Sequence, residues 1–238
     1  MFMEEKQNFP TSQDTSVFYP RKENEVADII KRSYKSNIPI EIIGSGSKKG
    51  IGKPIQCAKT LNLSKLDGII EYKPEELYIK VKAGTRIDVI ENELKKNNQQ
   101  LAFEPIDFGY LFLGKSSCGT AAGQVACSIS GPRRFKSGGT RDHILGFRAV
   151  NGRGDIIKSG GTVVKNVTGY DLSKLICGSY GTLAALTEIT FKVLPAAQES
   201  KTLVIHNLAI NSAPDYLSKA ISSSNDVSGA SFLPTEPN

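Results

Sequence analysis

Gly44-Ser45-Gly46-Ser47-Lys48-Lys49-Gly50 gathers the residue types that hold an anion. Glycine leaves main-chain N–H groups bare and lets a ligand approach the backbone, because no Cβ intervenes. The serine hydroxyls can donate hydrogen bonds and the lysines add charge. The string follows an apolar, β-like run, Ile38-Pro39-Ile40-Glu41-Ile42-Ile43, so it stands at a strand end. It reads as a candidate pyrophosphate cradle and points to a nucleotide cofactor; a glycine-rich surface loop is the other reading. Two common phosphate loops do not match it. The dinucleotide fingerprint G-x-G-x-x-G has Lys49 at its third glycine, and no helix opens after it. A Walker A loop ending at Gly52-Lys53 has Ser47 where glycine is required and Pro54 after the lysine.

Three further segments are dense in tiny residues. They are Cys118-Gly119-Thr120-Ala121-Ala122-Gly123, the stretch Ser130 to Asp142, and Asn166 to Leu172 leading to Gly178-Ser179-Tyr180-Gly181-Thr182-Leu183. Tiny residues at a helix start let a phosphate or a flat ring touch the backbone. Close helix–strand packing also favours Gly and Ala, but four such segments together favour one large ligand on which several backbones converge.

The elements that would position these segments follow from periodicity. Strands are expected at 15–19, 38–43, 60–63, 68–72 and 77–83, the last alternating Leu77, Ile79 and Val81 with Tyr78, Lys80 and Lys82. An amphipathic helix is expected over 23–35, with Val26, Ile29, Ile30 and Tyr34 on one face, and a second over 87–96 after Thr85. Residues 105–115 read as irregular and 120–127 as a short helix of small residues. Asn151-Gly152 between two apolar runs predicts a hairpin. A helical turn is expected at 171–176 and a long strand at 184–194. Beyond Pro195 a strand (202–205) and a helix (215–222) are expected.

The 238 residues carry a formal charge of +6, with the basic residues dispersed. That suits an anionic cofactor and excludes a nucleic-acid stripe. The four cysteines have no C-x-x-C or zinc spacing, and Cys127 and Cys177 read as small buried hydrophobes. The first 13 residues lack an apolar core, and no run nears the ~20 apolar residues of a membrane span. A soluble, cytoplasmic protein is expected, with peripheral placement at the inner membrane through partners left open.

These strings resemble the FAD-binding domain of the vanillyl-alcohol-oxidase type, also called PCMH-type. The likeness rests on Pro20 with the Glu25-Val26 helix, Gly44 to Lys48, Val81-Lys82-Ala83-Gly84-Thr85 and Thr120 to Gly123. It continues through Ser130-Gly131-Pro132-Arg133-Arg134, Arg141 to Gly146, Val164 to Leu172 and Gly178 to Leu183. The resemblance implies an α+β fold of two lobes over 15–195. A small α/β lobe (15–83) precedes a larger α+β lobe (84–195), and 196–238 begins an incomplete C-terminal cap. It implies that Gly44, Ser45, Gly46, Ser47 and Lys48 bind the FAD pyrophosphate. Gly119, Thr120, Ala121, Ala122 and Gly123 would hold the pyrophosphate and ribityl region from the helix N-terminus. Ser130 and Gly131 would lie by the flavin ring, and Thr187 to Ile189 would meet the adenine through the backbone. Arg141 and Lys165 would supply positive charge at the flavin N1/O2 edge. Relatives with covalent flavin often carry a histidine in the pyrophosphate loop; Ser47-Lys48-Lys49 stands here, so non-covalent FAD is expected.

The Pro132-Arg133-Arg134 and Lys165 to Leu172 strings lean toward the FAD-binding subunits of glycolate oxidase. That implies a small 2-hydroxy acid as substrate and two kinds of partner, a second flavoprotein and an iron–sulfur subunit, with no nucleic acid. Another oxidoreductase of the same fold and a non-catalytic assembly subunit are the alternatives. No catalytic residue is assigned; His143 is a candidate base by its ordinary pKa, with a structural histidine as the competing reading.

Overall fold

The computed structural model describes residues 16–53, 55–162 and 170–234. Strand β1 (Ser16–Phe18), helix α1 (Glu23–Lys35), β2 (Ile40–Ile43) and β3 (Lys59–Asn62) come first. The three strands form one parallel sheet in the order β1-β3-β2. Parallel neighbours need a crossover, and α1 carries the chain from β1 to β2. Its start is fixed by Glu25, whose carboxylate accepts from the N–H groups of Arg21 (2.7 Å) and Lys22 (3.3 Å). The inward stripe runs Val26, Ile30, Ser33, while Tyr34, expected on that face, is 59% exposed. Spacing of four and then three residues keeps the stripe under the helix, and Tyr34 falls one position past it.

Next come β4 (Ile69–Lys73), β5 (Tyr78–Lys82), α2 (Ile87–Lys95), β6 (Gln99–Gln100), α3 (Gly109–Leu113), α4 (Ala121–Cys127) and α5 (Arg134–Ser137). The chain continues through β7 (Ile144–Asn151), β8 (Ile156–Gly160), α6 (Leu172–Ile176), β9 (Ala184–Lys192), β10 (Leu194–Pro195) and α7 (Ala213–Ile221). Strands β4-β5-β9-β7-β8 form an antiparallel sheet, and β10 pairs with β6. This moves the division between lobes. Strands β4 and β5 were expected in the first lobe, up to residue 83, yet they pair into the second sheet. Ile79 and Val81 of β5 lie opposite Phe191 and Ile189 of β9, and all four are buried. The apolar face of β5 finds its complement there and not on the parallel sheet.

The β7–β8 hairpin turns at Asn151, whose Oδ1 accepts from the N–H groups of Arg153 (2.9 Å) and Asp155 (3.0 Å). Residues 202–205, expected as a strand, form none: no neighbouring strand among the described residues offers a ladder, and Leu203 stands 88% exposed. The short helices α3 and α5 were not expected from the sequence.

A continuous core runs from Val26 and Leu61 of the first sheet through α2 and α4 to Ile189 and Phe191 of the second. One polar clamp joins α1 to the antiparallel sheet. Glu23 accepts from Arg148 Nε (3.1 Å) and from Thr187 Oγ1 (2.6 Å). Burial alone would raise the Glu23 carboxyl, but the hydrogen bonds from Arg148 and Thr187 outweigh it and hold it below its ordinary value of 4.5. A depressed carboxyl stabilises the fold above that value and loses its contribution as pH falls through the folded pKa. Glu23→Gln is therefore expected to cost about 1–2 kcal/mol at neutral pH, discounted for the solvent reaching Arg148. Its stability deficit should shrink as pH falls below about 4.5. Urea denaturation of both forms between neutral pH and acid measures this; a pH-independent deficit would contradict it.

Candidate functional site

Strand β2 runs out into the Gly44–Lys48 loop, and helix α4 begins beside it. A Cβ added to Gly44 would lie 2.2 Å from Thr120 Oγ1, and one added to Gly119 would lie 2.7 Å from Lys48 Nζ and 3.6 Å from Ser47 Oγ. The two glycine-rich segments, 71 or more residues apart in sequence, thus touch. The N–H groups of Ser45, Gly46, Ser47 and Lys48, and those of Gly119 and Thr120, meet no acceptor among the described residues. Ser47 is buried, with its hydroxyl 3.3 Å from that of Ser45.

Lys48 is half-buried, with its ammonium 5.9 Å from the Phe108 ring centroid and no carboxylate at ion-pair distance among the described residues. Burial pushes its pKa down, with the Asp107 carboxylate acting against it. Asp107 itself faces its own loop and accepts from Gly109 N–H (2.7 Å) and the Ser116 hydroxyl (2.7 Å). A partly desolvated cation beside unspent N–H donors is suited to an anion.

Beyond this junction runs a groove walled by Ile42 and Gly44 on one side and by Ala122, Gly123 and Ala126 of α4 on the other. The turn at Tyr180-Gly181 and the start of β9, at Ala184 and Leu186, complete it. Tiny residues on α4 make that wall smooth, so a flat ring or an extended chain could lie along it. The helix wall differs from expectation in one respect. The N–H of Ala121 donates to the Thr85 carbonyl (2.8 Å), that of Ala122 to the Ala83 carbonyl (2.9 Å), and that of Gly123 to Thr120 Oγ1 (3.3 Å). The carbonyls after β5 and the capping threonine occupy the first turn of α4. Ala121, Ala122 and Gly123 therefore offer a surface and not an anion-binding helix terminus; the open donors belong to Gly119, Thr120 and the facing loop.

Residues 15–160 match the FAD binding domain family. The chain belongs to that family, of the PCMH type. It is 41% identical over 174 residues to the glycolate oxidase subunit GlcE of Escherichia coli, covering 73% of this chain and 47% of the relative. It is 33% identical over 184 residues to a D-lactate dehydrogenase of Anaerostipes hadrus (76% and 36%) and 31% over 212 residues to the glycolate oxidase subunit GlcD of Bacillus subtilis (88% and 43%). The chain thus spans about half the length, or less, of these relatives. Among solved structures, an alkyldihydroxyacetonephosphate synthase shares the fold, with a TM-score of 0.61 over 77% of this chain and 32% of that one, at 21% identity. The cofactor is FAD, and the open donors, the half-buried Lys48 and the smooth groove fit a dinucleotide.

The other expected residues fall in different surroundings. Ser130 Oγ accepts from Thr140 N–H (2.9 Å), and Gln124 of α4 reaches the Thr140 hydroxyl (3.3 Å), so this segment is tied to the groove wall. Gly131 is buried beneath Glu104; a Cβ there would meet the Glu104 side chain at 2.6 Å. Arg141 follows Thr140, its carbonyl accepting from Lys174 Nζ (2.7 Å). Lys165 lies outside the described residues.

Thr187 and Ile189 are not open to an adenine. The Thr187 carbonyl accepts from Ala83 N–H (2.9 Å), its hydroxyl bonds Glu23, and Ile189 is fully buried and paired on both sides, to Val81 and Phe147. The same strand meets the groove earlier, at Ala184 and Leu186, which sequence reasoning missed. The signal lies in the adjoining Gly178 to Leu183 string, whose ligand-facing character extends into the strand.

His143 is 2% exposed, its Nε2 2.7 Å from the Ser137 carbonyl and its ring 5.5 Å from that of Phe103. Nε2 therefore carries the proton and donates, which serves the turn and gives no access to a substrate. Cys127 and Cys177 are half-buried, and burial pushes both thiols up, so they stay protonated.

Proposed function

We propose that this chain is the FAD-binding subunit of a complex that oxidises a small 2-hydroxy acid, glycolate in the first instance. Electrons would leave through partner subunits, a second flavoprotein and an iron–sulfur protein. The observation that carries the reading is the junction of the Gly44–Lys48 loop with Gly119 and Thr120 at the mouth of a groove lined by tiny residues. The likeness to the subunits GlcE and GlcD supports the glycolate assignment.

In this reading the open N–H groups and Lys48 hold the pyrophosphate, and Ile42, Ala122, Ala126 and Leu186 exclude water from the rest of the groove. Ser130, Gly131 and Arg141 belong in this reading to the flavin end, where a guanidinium would stabilise negative charge, and the same role is assigned to the ammonium of Lys165, which lies outside the described residues. When bound, FAD supplies the hydride acceptor. FAD is held without a covalent bond, since the loop carries Ser47-Lys48-Lys49 and no histidine. Residues 15–195 form the FAD-binding unit and 196–238 begin a cap; in the cell the chain is cytoplasmic and reaches the inner membrane through its partners.

The purified chain should be yellow, and acid precipitation should release all the flavin into the supernatant. Colour retained in the pellet would overturn non-covalent binding. With partner subunits present, glycolate should bleach the flavin absorbance. Bleaching by D-lactate and not by glycolate would favour the second reading, a D-lactate dehydrogenase, which the Anaerostipes relative supports.

A further inference from the structure

The loop that carries α3 presents bulky apolar side chains to solvent. Tyr110 is 69% exposed, Leu111 71%, Leu113 47% and Ile106 37%. Surface clusters of this kind mark contact sites. The loop is braced from beneath. Asp107 closes its two ends, bonding Gly109 N–H and, across the loop, the Ser116 hydroxyl and Ser117 N–H (3.1 Å). Phe112, itself 38% exposed, lies over Gly50 and stacks with Phe108 at a ring separation of 6.0 Å and a tilt of 13°. The Asp107 bonds and the Phe108–Phe112 stack thus hold the loop that carries the exposed side chains.

At about 100° per residue, Tyr110, Leu111 and Leu113 fan over roughly 160° of arc. A helix laid in a protein groove presents one stripe, whereas a bilayer accepts a convex tip from every side. The charges agree. Lys115 follows the tip, and Lys53 stands three residues beyond Gly50; both are exposed and neither has an ion-pair partner among the described residues. Asp107 is the only acid between residues 105 and 117, and its oxygens are spent inside the loop. A tyrosine at the edge of an apolar tip, with Lys115 directly following the tip, suits the headgroup boundary.

We propose that the Ile106–Leu113 loop is a membrane-docking tip that inserts directly into an anionic lipid surface. Tyr110, Leu111 and Leu113 enter the boundary between headgroups and acyl chains, while Lys53 and Lys115 face lipid phosphates. This contact adds to the placement through partner subunits proposed above and does not depend on the substrate assigned there.

The chain contains no tryptophan, so Tyr110→Trp gives a single reporter. The FAD-loaded full chain is mixed with vesicles of phosphatidylcholine alone or with about a third phosphatidylglycerol. The expected result is a blue shift and quenching by brominated lipid with the anionic vesicles only. Leu111→Asp with Leu113→Asp should weaken vesicle binding at least about tenfold. Lys53→Glu and Lys115→Glu should each weaken it about fivefold, with flavin absorbance unchanged. Should the double aspartate variant lose its flavin, the Tyr110→Trp signal still decides. An unshifted tryptophan with anionic vesicles overturns the proposal, as does vesicle binding that survives the aspartates. A tryptophan already buried without lipid, through self-association seen as concentration-dependent elution or through a protein partner, overturns it too.

Discussion

Gly44→Ala is expected to give a colourless protein. The new methyl would lie 2.2 Å from Thr120 Oγ1, well inside van der Waals contact, at the point where the loop and α4 meet. Thr120 caps α4 through Gly123 N–H, so its hydroxyl cannot swing away without uncapping the helix. Overpacking of this kind costs about 1–3 kcal/mol and loss of the cap about 1 more. The groove mouth is also forced open, and FAD affinity should fall by at least about 100-fold, since the open donors no longer converge. Flavin content on purification and a thermal melt measure the two effects. Thr120→Gly in the same chain removes the clashing oxygen while a glycine still caps tolerably, so the double variant should regain colour. A yellow Gly44→Ala protein of unchanged stability would contradict this account of the junction.

Lys48→Met should change affinity and stability in opposite directions. The ammonium is half-buried, burial lowers its pKa, and no carboxylate pairs with it among the described residues. In the FAD-free protein it is a partly desolvated charge with only the Phe108 ring and the more distant Asp107 to offset that cost, so an apolar side chain of similar length should raise the melting temperature by about 2–4 °C. In the loaded protein the lysine would lie against a pyrophosphate, and losing a charge-assisted bond worth about 1.5–3 kcal/mol weakens FAD about 10- to 100-fold. Titration of the FAD-free protein with FAD, followed by flavin fluorescence, gives the affinity, and calorimetric melts give the stability. Equal losses in both would mean that Lys48 supports the fold and not the cofactor.

Much of this geometry is legible in the order of the residues. Helix α1 can be bounded from its string because Glu25, Val26 and Ile30 give it a start signal and a stripe. The hairpin at Asn151 follows from local turn chemistry. The 44–48 and 119–123 strings are marked by composition alone. What fails is whatever depends on a neighbour. Residues 202–205 have a strand's pattern without a described strand to pair with, and β4 and β5 join the sheet whose buried faces match theirs. Thr187 and Ile189 are chemically able to meet an adenine, but Ile189 has ladder partners on both sides, and Ala83 and Glu23 take the carbonyl and hydroxyl of Thr187.

The sequence by itself determined the ligand class of this protein, since glycines, small hydroxyls and a lysine state what a backbone can offer an anion. It also determined the helices and turns whose signals lie within a few residues. Only the tertiary structure decided which donors remain open. Hydrogen bonds are exclusive: the carbonyls of Ala83 and Thr85 take the first turn of α4, and the donors left over belong to the loop facing it. The tertiary structure likewise decided that Lys48 stands without a carboxylate partner among the described residues, because pairing depends on distances that no string of residues contains.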